Sequence, residues 1–403
     1  MSALGSRLFL ARHLASLARH SIHLRYASVP PIARGTAGSR VRVTLLPSAP
    51  ATDVGMAHRM FAWGPHLERR GFAVRVIEPC STLEYRHVGA SHDEAEAAIH
   101  KSVLSRLSTS LRMALDSDVI VVHRSLLPFS PYQRPTLELL LARKNPRLVF
   151  DFFDSLWARG QAGPEASAFG RWLNPPDRLE RILRAAAAVT VSSEYLADYA
   201  RKFNDEVHVI PMVLHAGEYA PRAHAARSPV VVGWMGNAGN LVRLSSVVPA
   251  VRRAAADRRL RLKVISWQKF EAEGIEVESL SHPWSPESEK EDLASFDIGI
   301  LPLFDTVVDR GKSPFKLLQY AAAGLPVVAS PYAVDRTAFV DGESVLLAET
   351  EEQWTAALGR LADDPALRAR VGAAAREVVL SHFTYERHAD RFAGILRRVA
   401  DRP

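Results

Sequence analysis

Short apolar runs typical of β-strands alternate with segments of helical periodicity, and this alternation occurs twice along the chain. Before residue 211 the strand-like runs are 41–46, 73–77, 119–122, 148–152, 188–191 and 207–210. After a proline-containing interruption at 211–229 they are 230–234, 260–265, 298–302 and 327–329. Strands that alternate with helices indicate parallel sheets covered by helices. The expected fold class is therefore α/β, with two doubly wound, Rossmann-like domains.

The interruption sets the expected domain boundaries. A basic N-terminal extension covers residues 1–40, a first domain 41–211, a linker 212–229 and a second domain 230–383. The C-terminal helix at 384–403 is expected to pack back on the first domain. Ligands of doubly wound sheets bind beyond the carboxyl ends of the strands, so we expect the two domains to face each other across a cleft that holds the site.

Composition excludes several classes of protein. The 403 residues are 47% hydrophobic and 24% charged, which is ordinary for a globular chain and not for a disordered or fibrous one. A single cysteine, Cys80, excludes a disulfide framework and a cysteine-based zinc site. No run approaches the roughly 18 apolar residues that a spanning helix requires. No nucleic-acid-binding signature is evident, so no nucleic-acid partner is expected.

The N-terminal extension is basic. The first acidic residue is Asp53, and leucines at 4, 8, 14 and 17 alternate with arginines in a pattern that suits an amphipathic helix. Three interpretations stay open: a helix on an anionic membrane surface, a transit peptide, or an extension without a role. We expect a cytoplasmic protein, with peripheral contact at the inner face of the membrane under the first interpretation. Only eight of the 51 basic residues are lysines, a bias that suggests a GC-rich, bacterial genome.

The segment 297–335 carries the clearest chemical signal. A buried strand ends at Pro302, a polar loop follows, and Pro314 opens the next helix. The N-terminus of that helix is an anion site in its own right, and Lys312 and Lys316 add positive charge beside it. This arrangement predicts an anionic ligand, of which a diphosphate is the simplest. The alternative is that both lysines are solvated surface charges.

The run RGKSPFKLLQYAAAGLPVVAS at 310–330 resembles the donor-binding segment of retaining glycosyltransferases of the group-1 (family 4) class, which have the GT-B fold. VVVGWMGN at 230–237 resembles the strand and glycine loop that open their C-terminal domain. DVIVVHR at 118–124 and LVFDFFDSLW at 148–157 resemble pieces of their N-terminal domain. The resemblance extends over about residues 40–400 and is stronger in the second half.

On the donor side, the resemblance implies a pair of glutamates with seven residues between them. The second aligns with Gln319, whose amide can still bond to the nucleotide ribose. The first aligns with Gly311, and either Asp309 or backbone N–H groups would take its place. Gly236 and Asn237 match the loop that approaches the phosphates. The donor-binding set is completed by Gly55, Ser313 and Lys316.

On the acceptor side, the resemblance implies that His123, at a strand end, touches the donor sugar near the reacting carbon. Arg124 is expected to meet the acceptor or a phosphate. Asp151 and Asp154 are expected to orient acceptor groups. Structural alternatives stay open: a buried histidine bonded to backbone, and aspartates that cap the following turn.

The resemblance implies a retaining hexosyltransferase that moves a sugar from a nucleoside diphosphate to an acceptor hydroxyl, in glycan, polysaccharide or glycolipid biosynthesis. The expected catalytic residues are His123, Asp309, Arg310 and Lys312. No metal or other cofactor is expected, because the cations of the site replace it. The alternatives are a non-catalytic nucleotide-sugar binder and a nucleotide-sugar epimerase of the same fold. The acceptor is expected to be a glycan, a lipid-linked molecule or a small molecule.

Overall fold

The computed structural model describes residues 14–22, 25, 40–85, 92–128, 130, 132–158 and 167–402, with the backbone alone at 92–100. The chain divides into two compact units. Unit 1 comprises Met1–Pro211 and His388–Pro403, and unit 2 comprises Met212–Arg387.

Unit 1 is built on a six-stranded parallel sheet. Its strands are β1 Val41–Leu46, β2 Phe72–Val76, β3 Val119–His123, β4 Leu148–Phe152, β5 Ala188–Val191 and β6 Val207–Val209. Their spatial order is β2-β1-β3-β4-β5-β6. β3, β4 and β5 are buried at every residue, which is typical of strands covered by helices on both faces.

Unit 2 contains a second parallel sheet. Its strands are β7 Val230–Met235, β8 Leu260–Ile265, β9 Glu276–Leu280, β10 Ile298–Leu301, β11 Val327–Ala329 and β12 Leu346–Leu347. The order β12-β11-β10-β7-β8-β9 reverses direction between β7 and β10. In doubly wound sheets this switch point opens a crevice at the carboxyl ends of the strands, which is where ligands bind.

Helices connect the strands of both sheets. In unit 1 they are α1 Val54–Met56, α2 Gly64–Glu68, α3 Thr82–Tyr85, α4 His92–Leu115, α5 Thr136–Lys144, α6 Ala168–Leu173, α7 Arg178–Ala185 and α8 Glu194–Ala200. In unit 2 they are α9 Leu241–Ala255, α10 Pro286–Ala294, α11 Val307–Arg310, α12 Phe315–Ala322, α13 Glu351–Asp363 and α14 Pro365–His382, and α15 Tyr385–Ala400 closes the chain. The predicted fold class, two doubly wound α/β domains, is confirmed.

Part of the basic N-terminal extension is described. Residues 14–22 are helical, and Leu17 is buried in the hydrophobic core of unit 1. Ile22, in contrast, is exposed. The predicted amphipathic residues before position 14, among them Leu4 and Leu8, lie outside the described residues. Within the described part of the chain, no helix is long and apolar enough to cross a membrane.

The segment predicted as a linker, 212–229, is bonded to unit 2 along much of its length. The Arg222 guanidinium donates to Asp297 at 3.0 Å. A ring nitrogen of His224 lies 2.9 Å from the carbonyl oxygen of Gly324, and Arg368 donates to the carbonyl oxygen of Ala225 at 3.0 Å. These contacts hold residues 222–225 against the elements of unit 2.

Gly233, inside β7, has no room for a side chain. A Cβ atom there would overlap the ring of Phe296, which is fully buried. We expect Gly233→Ala to lower the free energy of unfolding by about 1–3 kcal/mol or more, because the packed ring must move. Scanning calorimetry of the intact chain measures the effect. Gly239→Ala is the control, since a Cβ at Gly239 meets no atom within 4 Å; an equal loss in both variants would contradict the packing argument.

Candidate functional site

The switch point of unit 2 collects most of the residues predicted to bind the donor. Gly236 and Asn237 follow β7, and the loop after β10 leads into α11 and α12. Thr306 caps α11 by accepting a hydrogen bond from the backbone N–H of Asp309. Pro314 precedes α12 and no side chain caps that helix. The parallel order of β7 and β10 thus brings the two loops to one edge of the sheet.

The side chain of Asp309 is buried at this edge of the sheet, among the other site residues. Arg243 donates to both of its carboxylate oxygens, at 2.7 and 2.6 Å, and the backbone N–H of Phe304 donates at 2.9 Å. The Asp309 side chain has no exposed surface. Burial acts to raise the pKa of Asp309, but the bonds from Arg243 and Phe304 outweigh burial and lower the pKa. Asp309 is therefore ionised and fixes the cations around it.

Arg243, on α9, is a site residue that the sequence pattern did not reveal. Its guanidinium lies 5.6 Å from the centre of the Phe304 ring and donates to Asn240 at 3.2 Å. The same Asn240 oxygen accepts a bond from the Lys312 ammonium at 2.7 Å. Lys312 also lies 3.3 Å from Asp309. Nothing in the run 310–330 signals this partner from another helix.

Lys316 adds a third cation close to Lys312 and Arg243, whose charges act on it. Its ammonium lies 5.7 Å from the centre of the Trp234 ring, and a Cβ at Gly236 would be 2.8 Å from Lys316 Cε. Burial, together with the charges of Lys312 and Arg243, lowers the pKa of Lys316 to about 8. Excess positive charge at a strand edge, with glycine backbone in close approach, suits an anionic ligand.

The other residues predicted for this side are placed differently. Arg310 is exposed and donates to Asp305 at 2.5 Å. Ser313 is half-buried between Lys312 and Pro314 in the chain. Asn237 accepts a bond from the backbone N–H of Asn240 and so closes a turn. Lys312 thus pairs with Asp309 and Lys316 lies near Lys312, whereas the Arg310 side chain extends to the surface.

Gln319 is almost fully buried and bonds to Glu289 on α10. Glu289 also accepts from the Tyr219 hydroxyl at 2.5 Å and from the Trp284 indole at 2.6 Å. Burial raises the pKa of Glu289 against the opposing effect of these donors. An amide at 319 can donate to this carboxylate, whereas a second carboxylate would repel it.

In unit 1, Asp151 at the end of β4 binds three side chains in the interior. Arg59 donates to both of its oxygens at 3.0 and 2.6 Å, and Thr190 donates at 2.5 Å. His123 Nδ1 lies 2.7 Å from Asp151 Oδ2. Burial acts to raise the pKa of Asp151, but Arg59 and His123 hold it well below its usual range. Arg59 was not identified from the sequence, where no motif surrounds it.

The predicted sugar-contacting residue His123 is completely buried in this network. Burial lowers its pKa although Asp151 acts in the opposite direction. Because the ionised Asp151 can only accept, Nδ1 carries the proton and Nε2 is an acceptor. Nε2 has no hydrogen-bond partner among the described residues, and the ring stacks on Phe153 at 5.0 Å. The free acceptor nitrogen suits a ligand hydroxyl.

Arg124, Asp154 and Gly55 lie around the same strand ends. The backbone N–H of Arg124 donates to the carbonyl oxygen of Asp151 at 3.0 Å. The Arg124 guanidinium lies 3.6 Å from Asp154, which is mostly buried. Gly55, in α1, packs on Phe153, because a Cβ there would be 3.0 Å from the ring. The predicted acceptor-side residues are thus neighbours at the carboxyl ends of β3 and β4.

Solved structures resemble the chain over nearly its whole length. A sucrose-phosphate synthase from Thermosynechococcus elongatus matches with a TM-score of 0.60 at 14% identity, over 89% of this chain and 99% of its own. A glycosyltransferase from Rickettsia africae matches at 0.60 and 11%, over 90% and 100%. HepE from Anabaena, solved with UDP and glucose, matches at 0.55 and 12%, over 89% and 100%. These similarities establish the GT-B fold of the chain.

A comparison of the sequence with protein families gives a match in part of the chain. A family model described as glycosyl transferase-like matches residues 252–394, which span most of unit 2. This range includes the switch-point residues Asp309, Lys312, Lys316 and Gln319. No curated protein matches the sequence.

The Gln319–Glu289 bond gives a mutational test. Gln319→Glu should lower the free energy of unfolding by about 2–3 kcal/mol, because two buried carboxylates then face each other. The double variant Gln319→Glu with Glu289→Gln should recover most of the loss, since it restores one amide and one carboxylate. Chemical unfolding of four proteins, namely the unchanged chain, each single variant and the double variant, measures this cycle. Equal stability of the single and double variants would show that the pair does not interact.

The lowered pKa of Lys316 predicts a pH dependence of anion binding. Sulfate keeps a constant charge between pH 7 and 9, while the Lys316 ammonium loses its proton near pH 8. Sulfate affinity should therefore fall about five- to tenfold over this range. Calorimetric titration measures it, with Lys316→Gln expected to bind weakly and without this dependence. Lys290→Gln, which removes an exposed lysine paired with Glu218, should keep the native pH profile. A native profile in Lys316→Gln would contradict the assignment.

Proposed function

We propose that the chain is a glycosyltransferase that takes a hexosyl group from a nucleoside-diphosphate sugar and transfers it to an acceptor hydroxyl with retention of configuration. The cluster of Arg243, Lys312 and Lys316 beside Gly236 is the observation that carries the proposal. Its position at the switch point of unit 2 suits the diphosphate of the donor. The GT-B fold and the glycosyl transferase-like match in unit 2 support the same conclusion.

In this proposal the bond between the anomeric carbon and the diphosphate oxygen breaks, and both bonding electrons leave with the diphosphate. The acceptor oxygen attacks the same face of the sugar, and its proton passes to a leaving phosphate oxygen. The protein then has to stabilise the charge that develops on the diphosphate. Lys312 and Lys316 perform that task, and no metal or other cofactor is required.

Asp309 and Arg310 receive revised roles. Asp309 is fully buried and its oxygens are bonded to Arg243 and Phe304, so we propose that it positions cations instead of touching the sugar. Because Arg310 is exposed and pairs with Asp305, we propose that it makes no contact with the phosphates. Backbone N–H groups near Gly311 then take over the donor-sugar contact. Gln319 is proposed to bond to the ribose through the atoms of its amide that are not bonded to Glu289.

Unit 1 is proposed to supply the remaining contacts. The free Nε2 of His123 accepts a hydroxyl of the donor sugar, in the tautomer set by Asp151. Arg124 and Asp154 are the nearest polar groups for the acceptor. Asp151 is unsuited to acid–base work, since it is ionised and bonded to three side chains. This argues against an epimerase.

The proposed pathway is the biosynthesis of a glycan, polysaccharide or glycolipid in the cytoplasm. One structural neighbour, WaaG, is described as a glycosyltransferase involved in lipopolysaccharide biosynthesis. Contact with the inner face of the membrane through the basic N-terminal extension belongs to this proposal. Leu17 takes no part in that contact, because its side chain is buried in unit 1.

A panel of nucleoside-diphosphate sugars, tested without added metal, examines the proposal. One donor should raise the melting temperature, and slow release of free nucleoside diphosphate should accompany it. Lys316→Ala should weaken donor binding at least about tenfold, because a charge-assisted contact is lost. The exposed control Lys290→Ala should bind normally.

The panel separates the alternatives. Binding without any release, even with a cell extract as a source of acceptors, would favour a non-catalytic binder. A folded protein that responds to no donor would contradict the proposed function.

A further inference from the structure

A pocket in unit 1 lies beside the residues described above and extends away from them. Its cavity volume is about 30 Å³, and the rest of the pocket is open to solvent. Its lining includes two arginines and several apolar or aromatic side chains, among them Arg124, Phe150, Trp157, Asn174, Arg178 and Leu179. Arg124 follows β3 and Trp157 follows β4, so the pocket opens at the carboxyl ends of these strands. A ligand at this edge would lie where doubly wound sheets bind their substrates.

The charges of the pocket are one-sided. Arg124 and Arg178 line it, and no carboxylate is among the described residues of the lining. Among the described residues, the bond that Arg178 donates is a long one, 3.4 Å, to the carbonyl oxygen of Arg124. Burial and the charge of Arg124 lower the pKa of Arg178, while Glu138 acts to raise it. The nearest carboxylate recorded for Arg124 is that of Asp154, at 3.6 Å.

The backbone of Arg124 is in a conformation that side chains rarely adopt. Its φ angle is 61°, in the left-handed region that favours glycine. The bond from its N–H to the carbonyl oxygen of Asp151 holds this turn in place. Strained residues of this kind persist where the surrounding structure enforces them, often at ligand sites. Here the strained turn belongs to one of the two cations of the pocket.

The aromatic wall is rigid. Trp157 stacks on Tyr199 with ring centres 3.9 Å apart and an angle of 5° between the planes. A tryptophan held in this way presents a flat surface of the kind that packs against the apolar face of a sugar ring. The pocket therefore combines an apolar platform with two guanidinium groups.

We propose that this pocket binds a phosphate ester carried by the acceptor, so that the acceptor is a phosphorylated sugar or a phosphate-linked glycan. Guanidinium groups bind phosphate oxygens in a bidentate manner. The several oxygens of a phosphate can accept from both arginines at once. That the ligand of this pocket is the acceptor rests on the proposed function. Binding of a phosphate in the pocket can be tested separately.

The phosphate can be free in solution or attached to a lipid. Phe169 and Trp172, on α6, stack with ring centres 5.8 Å apart and are 52% and 45% exposed. Trp172 precedes the pocket residue Asn174 by two positions, and Arg134 covers its ring. Exposed aromatic and basic side chains suit a lipid surface. The experiment therefore has a soluble arm and a lipid arm.

In the soluble arm, glucose 6-phosphate and glucose are titrated into the full-length protein by calorimetry. We expect the phosphate ester to bind and glucose not to bind. Arg178→Gln should raise the dissociation constant at least about tenfold, because one charged contact is lost. The dissociation constant of Arg178→Lys should fall between those of the unchanged protein and Arg178→Gln. This order would show that the loss of binding does not come from misfolding. Arg181→Gln, on the same helix but outside the lining, is the matched control.

In the lipid arm, the protein is sedimented with vesicles of 20% phosphatidic acid in phosphatidylcholine and with pure phosphatidylcholine. Sedimentation that requires phosphatidic acid and Arg178 identifies a lipid-borne phosphate. Binding of glucose 6-phosphate alone identifies a soluble one, and either result supports the proposal. Two results overturn it: no phosphate binding in either arm, or binding that Lys316→Gln abolishes and Arg178→Gln leaves intact.

Donor turnover is measured in parallel on the unchanged protein without acceptor. Release of nucleoside diphosphate together with absent phosphate binding would reject the pocket and retain the transferase. Arginine-dependent phosphate binding without response to any donor would reject the transferase and retain a phosphate site.

Discussion

The buried ion pair between Arg59 and Asp151 organises the carboxyl end of the unit 1 sheet. Asp151 also accepts from Thr190 on β5 and from His123 on β3, so one carboxylate joins three neighbouring strands. Arg59 also donates to the carbonyl oxygens of Ile210 and Pro211, the last residues of the first segment of unit 1. Removing either partner would leave an uncompensated buried charge, which is far more costly than the pair itself. The ionised carboxylate of Asp151 sets the tautomer of His123, and the backbone carbonyl of the same residue accepts a hydrogen bond from the N–H of Arg124.

Unit 2 also has a buried carboxylate bonded to cations, but the net charge of its cluster is different. Asp309 is as deeply buried as Asp151, but it faces two cations, with a third, Lys316, beside them, where Asp151 faces one permanent cation and a neutral histidine. The unit 1 network is therefore nearly neutral, whereas the unit 2 cluster carries excess positive charge. Neutral networks hold a structure together, and an excess of one sign prepares a site for a ligand.

Local patterns in the sequence were sufficient to predict the fold class and most strands. Two strands were missed for physical reasons. β9 lies at the edge of its sheet and carries the charged residues Glu276 and Glu278, so it lacks an apolar run. β12 has only two residues. The loop after β10 was predicted to be an anion site because the lysines, the prolines and the helix start are adjacent in sequence.

The partners of those residues could not be predicted from one sequence. Arg59 lies 92 residues from Asp151, and Arg243 lies 66 residues from Asp309. No local pattern records which arginine a buried carboxylate will meet. The depressed pKa of Lys316, which depends on Lys312 and Arg243, has a consequence for turnover. If an anion binds beside Lys316 as proposed, its arrival near pH 8 draws a proton from water onto this lysine, and its departure returns that proton. Each binding cycle is then also a proton cycle.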